Sequence, residues 1–166
     1  MYWTETPDVF NNFVSGSIRR DTFDEILISL PFADNINMTD DRFCKVCPLF
    51  QDLNNVSNLQ FQQEFHSMDE VMILYYGKYG TNQFITGKSL RFGFKVWAAC
   101  TSDGSLLYCE PYYGYDTLIP DIGLGQGPNV AVKMSSKINL QAGQHARFDN
   151  IFTSLPLVEN LVNRGI

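Results

Sequence analysis

The 166-residue sequence is short of charge: 18% of it is Asp, Glu, Lys or Arg, against about 25% in an ordinary globular domain. With 45% apolar residues, this excludes a disordered or acidic solvating chain. Basic residues are the scarcer sign. Twelve Lys and Arg stand against eighteen Asp and Glu, a net charge of −6. That excludes a self-sufficient nucleic-acid binder, whose domain is normally strongly basic. Four cysteines are too few for a disulfide scaffold. No apolar run approaches the roughly 18 residues of a membrane span. The opening residues, MYWTETPDVF, hold no basic stretch followed by an apolar one, so no secretory leader is expected.

Glycine is nearly missing from the first third: of twelve glycines, Gly16 alone precedes residue 61. Acidity is uneven in the same way. Residues 1–60 carry nine acids and four bases, and residues 61–166 nine acids and eight bases. Two regions are therefore expected, a mainly helical segment over 1–60 and an α/β unit over 61–166. In the first, Phe23, Ile26, Leu27 and Leu30 form one apolar face of a helix. Thr22 and Glu25 fit a capping box, and Pro31 ends the segment. Asp8–Val14 is a weaker helix, and Phe43–Leu59 another, interrupted by Pro48. Asp34–Asn37 and Thr39–Asp41 read as polar connectors.

The second region reads as three strands, a helix, a strand and a helix. Phe65–Tyr76 alternates so that Asp69 shares a side with Val71, Ile73 and Tyr75. Arg91–Thr101 is the next strand, and Ser102-Asp103-Gly104 is a hairpin turn leading to a third over Ser105–Tyr113. Residues 114–127 form a Gly/Pro/Asp-rich loop before a short helix over Asn129–Ser136. His145–Ile151 is a short strand. Ser154 or Thr153 then caps a helix with Pro156 in its first turn, a buried stripe of Leu155, Val158, Leu161 and Val162, and Gly165 at its end. An antiparallel meander followed by a helix crossover implies a mixed sheet with a parallel strand.

Two acids sit awkwardly. Asp69 interrupts an apolar strand and Asp149 ends a short one, positions that strand propensity disfavours. A carboxylate at the C-terminal end of a central strand points to the crevice where α/β sheets bind ligands, and two on neighbouring strands could share one divalent cation. From spacing alone, one exposed strand-edge Asp and one helix-cap Asp is the favoured reading.

Several segments, in order, carry a resemblance. They are Ser67-Met68-Asp69-Glu70 with Tyr76-Gly77-Lys78-Tyr79-Gly80, then Gln83-Phe84-Ile85, Gly87-Lys88 and Arg91-Phe92-Gly93-Phe94-Lys95-Val96-Trp97. Glu110-Pro111-Tyr112, the Gly123-Leu124-Gly125 loop and Phe148-Asp149-Asn150-Ile151-Phe152-Thr153-Ser154-Leu155-Pro156-Leu157 follow. Upstream, Met1-Tyr2-Trp3, Phe23-Asp24-Glu25-Ile26-Leu27 and Ala33-Asp34-Asn35 belong to the same pattern. Through these the chain resembles the piggyBac transposase family over essentially its whole length. The resemblance implies an α/β, partial ribonuclease H-like sheet over 61–166, preceded by the helical segment. It implies Asp69 and Asp149 as two catalytic, metal-binding carboxylates, with Mg²⁺ or Mn²⁺ as cofactor and DNA transposon ends as substrate. It places Lys78, Lys88 and Arg91 as possible DNA contacts, and it implies a nuclear, intracellular protein.

The family's third catalytic Asp lies well downstream of the Asp149 block, and no Asp follows 149 in this sequence. The expectation is therefore a chain truncated within its catalytic core, which holds its cation weakly and is inactive in strand transfer by itself. The alternatives are a non-catalytic remnant that binds DNA or pairs with itself or a full-length relative, and a degenerate reading frame. Other signals are weaker. Cys44-x-x-Cys47 has the spacing of half a zinc site, but four reduced structural thiols are expected. Gly123-x-Gly125-x-Gly127 follows no clear strand, so it reads as a loop before a helix. His66 reads as structural and His145 as structural or exposed.

Overall fold

The computed structural model describes residues 2–4, 6–34, 36, 39–57, 63–114, 119 and 121–166. Met1, Asn35, Asn37, the expected helix end at Leu59, the boundary at 60/61 and part of the 114–127 loop fall outside the described residues. Among the described residues no helix is long and apolar enough to cross a membrane.

Three helices come first. α1 (Asn12–Ser17) begins later than the expected Asp8, because the Asn11 carboxamide accepts the N–H groups of Phe13 and Val14. α2 (Arg20–Ser29) stops before Pro31, as its sequence requires. Its capping box does not form. The helix starts at Arg20, so Thr22 lies inside the first turn, and Arg19 at the N-cap makes no side-chain cap. The apolar side of α2 takes a tilted contact from Trp3, whose ring lies 5.2 Å from Phe23. α3 (Cys47–Ser57) has Pro48 in its first turn, where the missing N–H is one no helix uses; Pro48 starts this helix and does not interrupt it.

The sheet has five strands, β1 (Phe65–Leu74), β2 (Gln83–Phe84), β3 (Phe92–Thr101), β4 (Leu106–Pro111) and β5 (His145–Phe148). β1 is flanked by β3, antiparallel, and by β5, parallel. β2 and β4 both pair with β3. The expected meander of β1, β3 and β4 plus one parallel strand is present; β2, only two residues long, had no signal in the sequence. Asn54 of α3 donates to the Cys109 carbonyl at 2.9 Å and accepts its N–H at 2.8 Å, fastening the helical segment to β4. The β3–β4 turn closes through Thr101 N–H to the Ser105 carbonyl, with Gly104 at φ +88. Gly93, at φ +146, faces the Ile73 backbone so closely that a Cβ would overlap its carbonyl oxygen.

α4 (Gln126–Lys137) and α5 (Leu155–Asn163) cover one face of the sheet. α4 starts at Gln126 and not Asn129, with Gly127 and Pro128 in its first turn. α5 is capped by Ser154, whose hydroxyl accepts the Leu157 N–H at 3.3 Å, and Gly165 follows it at φ +77. Its buried residues are Leu157 and Leu161. Of the expected stripe Leu161 is buried, but the face is turned by about a quarter turn: Leu155 is exposed, while Val158 and Val162 line an open groove beside β5. The core joins Met68, Trp97, Ala99 and Leu107 on the sheet to Val130 and Met134 of α4 and to Phe152 and Leu157.

Candidate metal centre

The alternation of β1 is strict from His66 to Met72: His66, Met68, Glu70 and Met72 are buried, while Ser67, Asp69 and Val71 are exposed. Met68 and Glu70 therefore lie on the helix-covered face and Asp69 on the open one. The parallel register pairs Met68 with Phe148. One step further, as β5 ends, Asp149 comes opposite Asp69. Strand pairing thus brings together two acids eighty residues apart in the sequence.

The structure adds a third carboxylate. Ligand oxygens of Asp69, Glu70 and Asp149 lie within 4.8 Å of one another. Oxygens around one divalent cation, bound at about 2.0–2.6 Å, stand at comparable separations, and hard carboxylate donors are what such ions take. The Asp69 carboxylate accepts the Glu70 N–H at 2.7 Å. Asp149 opens a turn: its carboxylate accepts the Ile151 N–H at 2.9 Å, and its carbonyl accepts the Thr153 hydroxyl at 2.8 Å and the Phe152 N–H at 3.2 Å. Phe152 is fully buried and meets Trp97 edge-on at 5.4 Å. The turn that aims Asp149 is thereby pinned to the core.

Two ammonium groups attend the acids. Lys88, from the loop between β2 and β3, lies 3.3 Å from Glu70 Oε1 and 3.9 Å from Asp69 Oδ1. Lys95 sits across from Met72 in β3, its ammonium 3.9 Å from the Trp97 ring centroid and 5.3 Å from that of Tyr112. Burial pushes its pKa below the ordinary lysine value, and Glu70, Asp149 and Asp69 work against that shift.

Of the residues read from the sequence, Asp69, Asp149 and Lys88 converge, while Lys78 and Arg91 are exposed. Glu70 was missed. Its signal was present: a Glu between Met68 and Met72 on a buried face is a costly placement that calls for a cation. The cysteines are all free thiols. Cys47 donates to Asp41 at 3.3 Å, and burial raises its pKa, as it does for Cys100 and, to about 11, Cys109. Among the described residues Asp69, Glu70 and Asp149 are the group of acids, cysteines and histidines that gathers; Cys44 and Cys47 are not in it. The glycine loop leads into α4, as expected, with Gly125 at its N-cap.

A family model described as Transposase IS4 matches residues 1–166. The human piggyBac transposable element-derived proteins 3 and 2 are each 36% identical to this chain, over 99% and 100% of it. The chain belongs to the piggyBac-type transposase family. It spans 28% and 29% of the length of those two relatives. A piggyBac transposase, solved by cryo-EM in a synaptic complex with hairpin DNA, matches with a TM-score of 0.75 at 22% identity. The match covers 87% of this chain and 31% of that one. This likeness gives the piggyBac-type chain its fold, a ribonuclease H-like mixed sheet.

Proposed function

We propose that this chain is the carboxylate-bearing part of a piggyBac-type transposase core, in which Asp69 and Asp149 hold a divalent cation, Mg²⁺ or Mn²⁺, against a DNA phosphodiester. The observation that carries the reading is the register: Asp149 leaves β5 at the position opposite Asp69. When bound, such an ion supplies charge neutralisation and a Lewis-acid contact to a phosphate oxygen. The protein's own part is positioning. The Asp149 turn is held by its hydrogen bonds and by Phe152, and Asp69 by its strand neighbours. Preorganised groups of this kind need little rearrangement as charge develops. Exposed Lys78 and Arg91 are proposed to meet DNA phosphates, and a nuclear location and self-association or pairing with a full-length relative belong to the same reading.

The second reading is a DNA-binding or heteromerising protein without catalysis. It is favoured by Lys88, which already neutralises part of the acidic cluster. Both readings are separated by thermal melting in rising Mg²⁺ or Mn²⁺. An ion-dependent rise in melting temperature, lost in Asp69→Asn and in Asp149→Asn, supports the metal-bearing core. A rise that survives both substitutions, or none in the wild type, leaves the non-catalytic reading.

A further inference from the structure

We infer that Lys88 is a built-in counter-ion which a divalent cation displaces, and that Glu70 is the third carboxylate of the resulting site. The inference rests on the ion-binding reading above and adds to it one ligand and one competitor.

Glu70 is the evidence. Its side chain is 2% exposed, between Met68 and Met72 on the buried face of β1. A buried carboxylate is stable only when its charge is compensated and its oxygens have partners. Here Oε1 has Lys88, whereas Oε2 is buried with no hydrogen-bond partner. Glu70 thus pairs a buried oxygen that has no donor with a carboxylate that brings an oxygen within 4.8 Å of those of Asp69 and Asp149, an arrangement that suits a cation and not the core.

Lys88 is built to leave. It stands in a loop closed by Ile85 N–H to the Arg91 carbonyl, next to Gly87 at φ +96 and to exposed Ser89 and Leu90. Its side chain is 36% exposed, and its four-carbon stem is flexible. Charge counting favours the exchange: three carboxylates and one ammonium carry a net −2, and replacing the ammonium by a divalent ion lowers that to −1. Lys95 does not fill the same place, because its ammonium rests over Trp97 and Tyr112.

The test is calorimetric titration of the full chain with Mn²⁺ alone, together with water-proton relaxation to count the waters left on the bound ion. Lys88→Met is expected to bind Mn²⁺ about tenfold more tightly, and Glu70→Gln about tenfold more weakly with one extra exchangeable water, changes of the size that residues tuning a metal site produce. Melting without metal shows whether Glu70→Gln folds; if it does not, Lys88→Met decides alone. Unchanged or weaker binding by Lys88→Met overturns the inference, as do unchanged affinity and water count in Glu70→Gln. If binding is still lost in Asp149→Asn, the two-Asp reading survives that failure. If neither the wild type nor Lys88→Met binds Mn²⁺, both readings fall.

Discussion

Gly127 faces the carbonyl oxygen of Ile151 so closely that a Cβ on Gly127 would overlap it. The first turn of α4 thus lies directly on the turn that aims Asp149. Gly127→Ala is expected to push the two apart, costing about 1–3 kcal/mol as overpacking does and weakening Mn²⁺ binding. Gly16→Ala, at a position with open space around it, is the control and should leave binding unchanged. Denaturant unfolding and Mn²⁺ titration of both variants check this; equal affinity in Gly127→Ala would show that α4 does not position Asp149.

Phe152 makes the same connection from the core side. It is fully buried against Trp97 and is bonded through its N–H to the Asp149 carbonyl. Phe152→Ala should cost about 3–5 kcal/mol, the usual figure for a buried aromatic. Phe152→Leu should retain most of the stability. Equilibrium unfolding distinguishes the two, and a small loss for Phe152→Ala would mean the core closes around the gap.

The site was legible where strand grammar alone determined it. Asp69 and Asp149 stood out as carboxylates placed against propensity, and pairing of β1 with β5 did the rest. Glu70 was passed over because period-two alternation puts it on the face opposite Asp69, although its place between Met68 and Met72 on that buried face was a signal. Only the folded chain shows its carboxylate joining the other two, with Asp69 turned back on the Glu70 N–H. The rotation of α5 was lost for a similar reason. Leu155, Leu157, Val158, Leu161 and Val162 are all apolar, and the Ser154 cap fixes where the helix begins without choosing among them. The sheet chooses Leu157 and Leu161. The capping box at Thr22 failed because α2 starts at Arg20.

His66 supplies a pH prediction. It is 1% exposed, and burial holds its pKa below the ordinary 6.5, with the His145 backbone acting weakly in the other direction. The neutral ring is the folded form, while the unfolded chain takes up a proton below 6.5. Stability is therefore complete above that value and falls as pH drops from it towards the folded pKa, by at most about 1.4 kcal/mol per pH unit. Urea unfolding at pH 7.5 and 5.5 should show this loss in the wild type and less of it in His66→Gln. Equal losses would assign the pH dependence to other groups.

DNA binding should be weak and steep in salt, since the chain carries a net −6. Lys78→Ala and Arg91→Ala are each expected to lower the slope of log affinity against log salt by about 1, the signature of one lost phosphate contact. Fluorescence anisotropy on a duplex at several KCl concentrations measures it. Slopes identical to wild type would remove both residues from the interface.

The central claim is that Asp69 and Asp149 share one cation, and the most direct test is to locate that ion. Crystals of the chain soaked in Mn²⁺ and measured at the manganese edge should show an anomalous peak bounded by the Asp69 and Asp149 carboxylates. A peak elsewhere, or none at that point with Mn²⁺ in excess, would contradict the account.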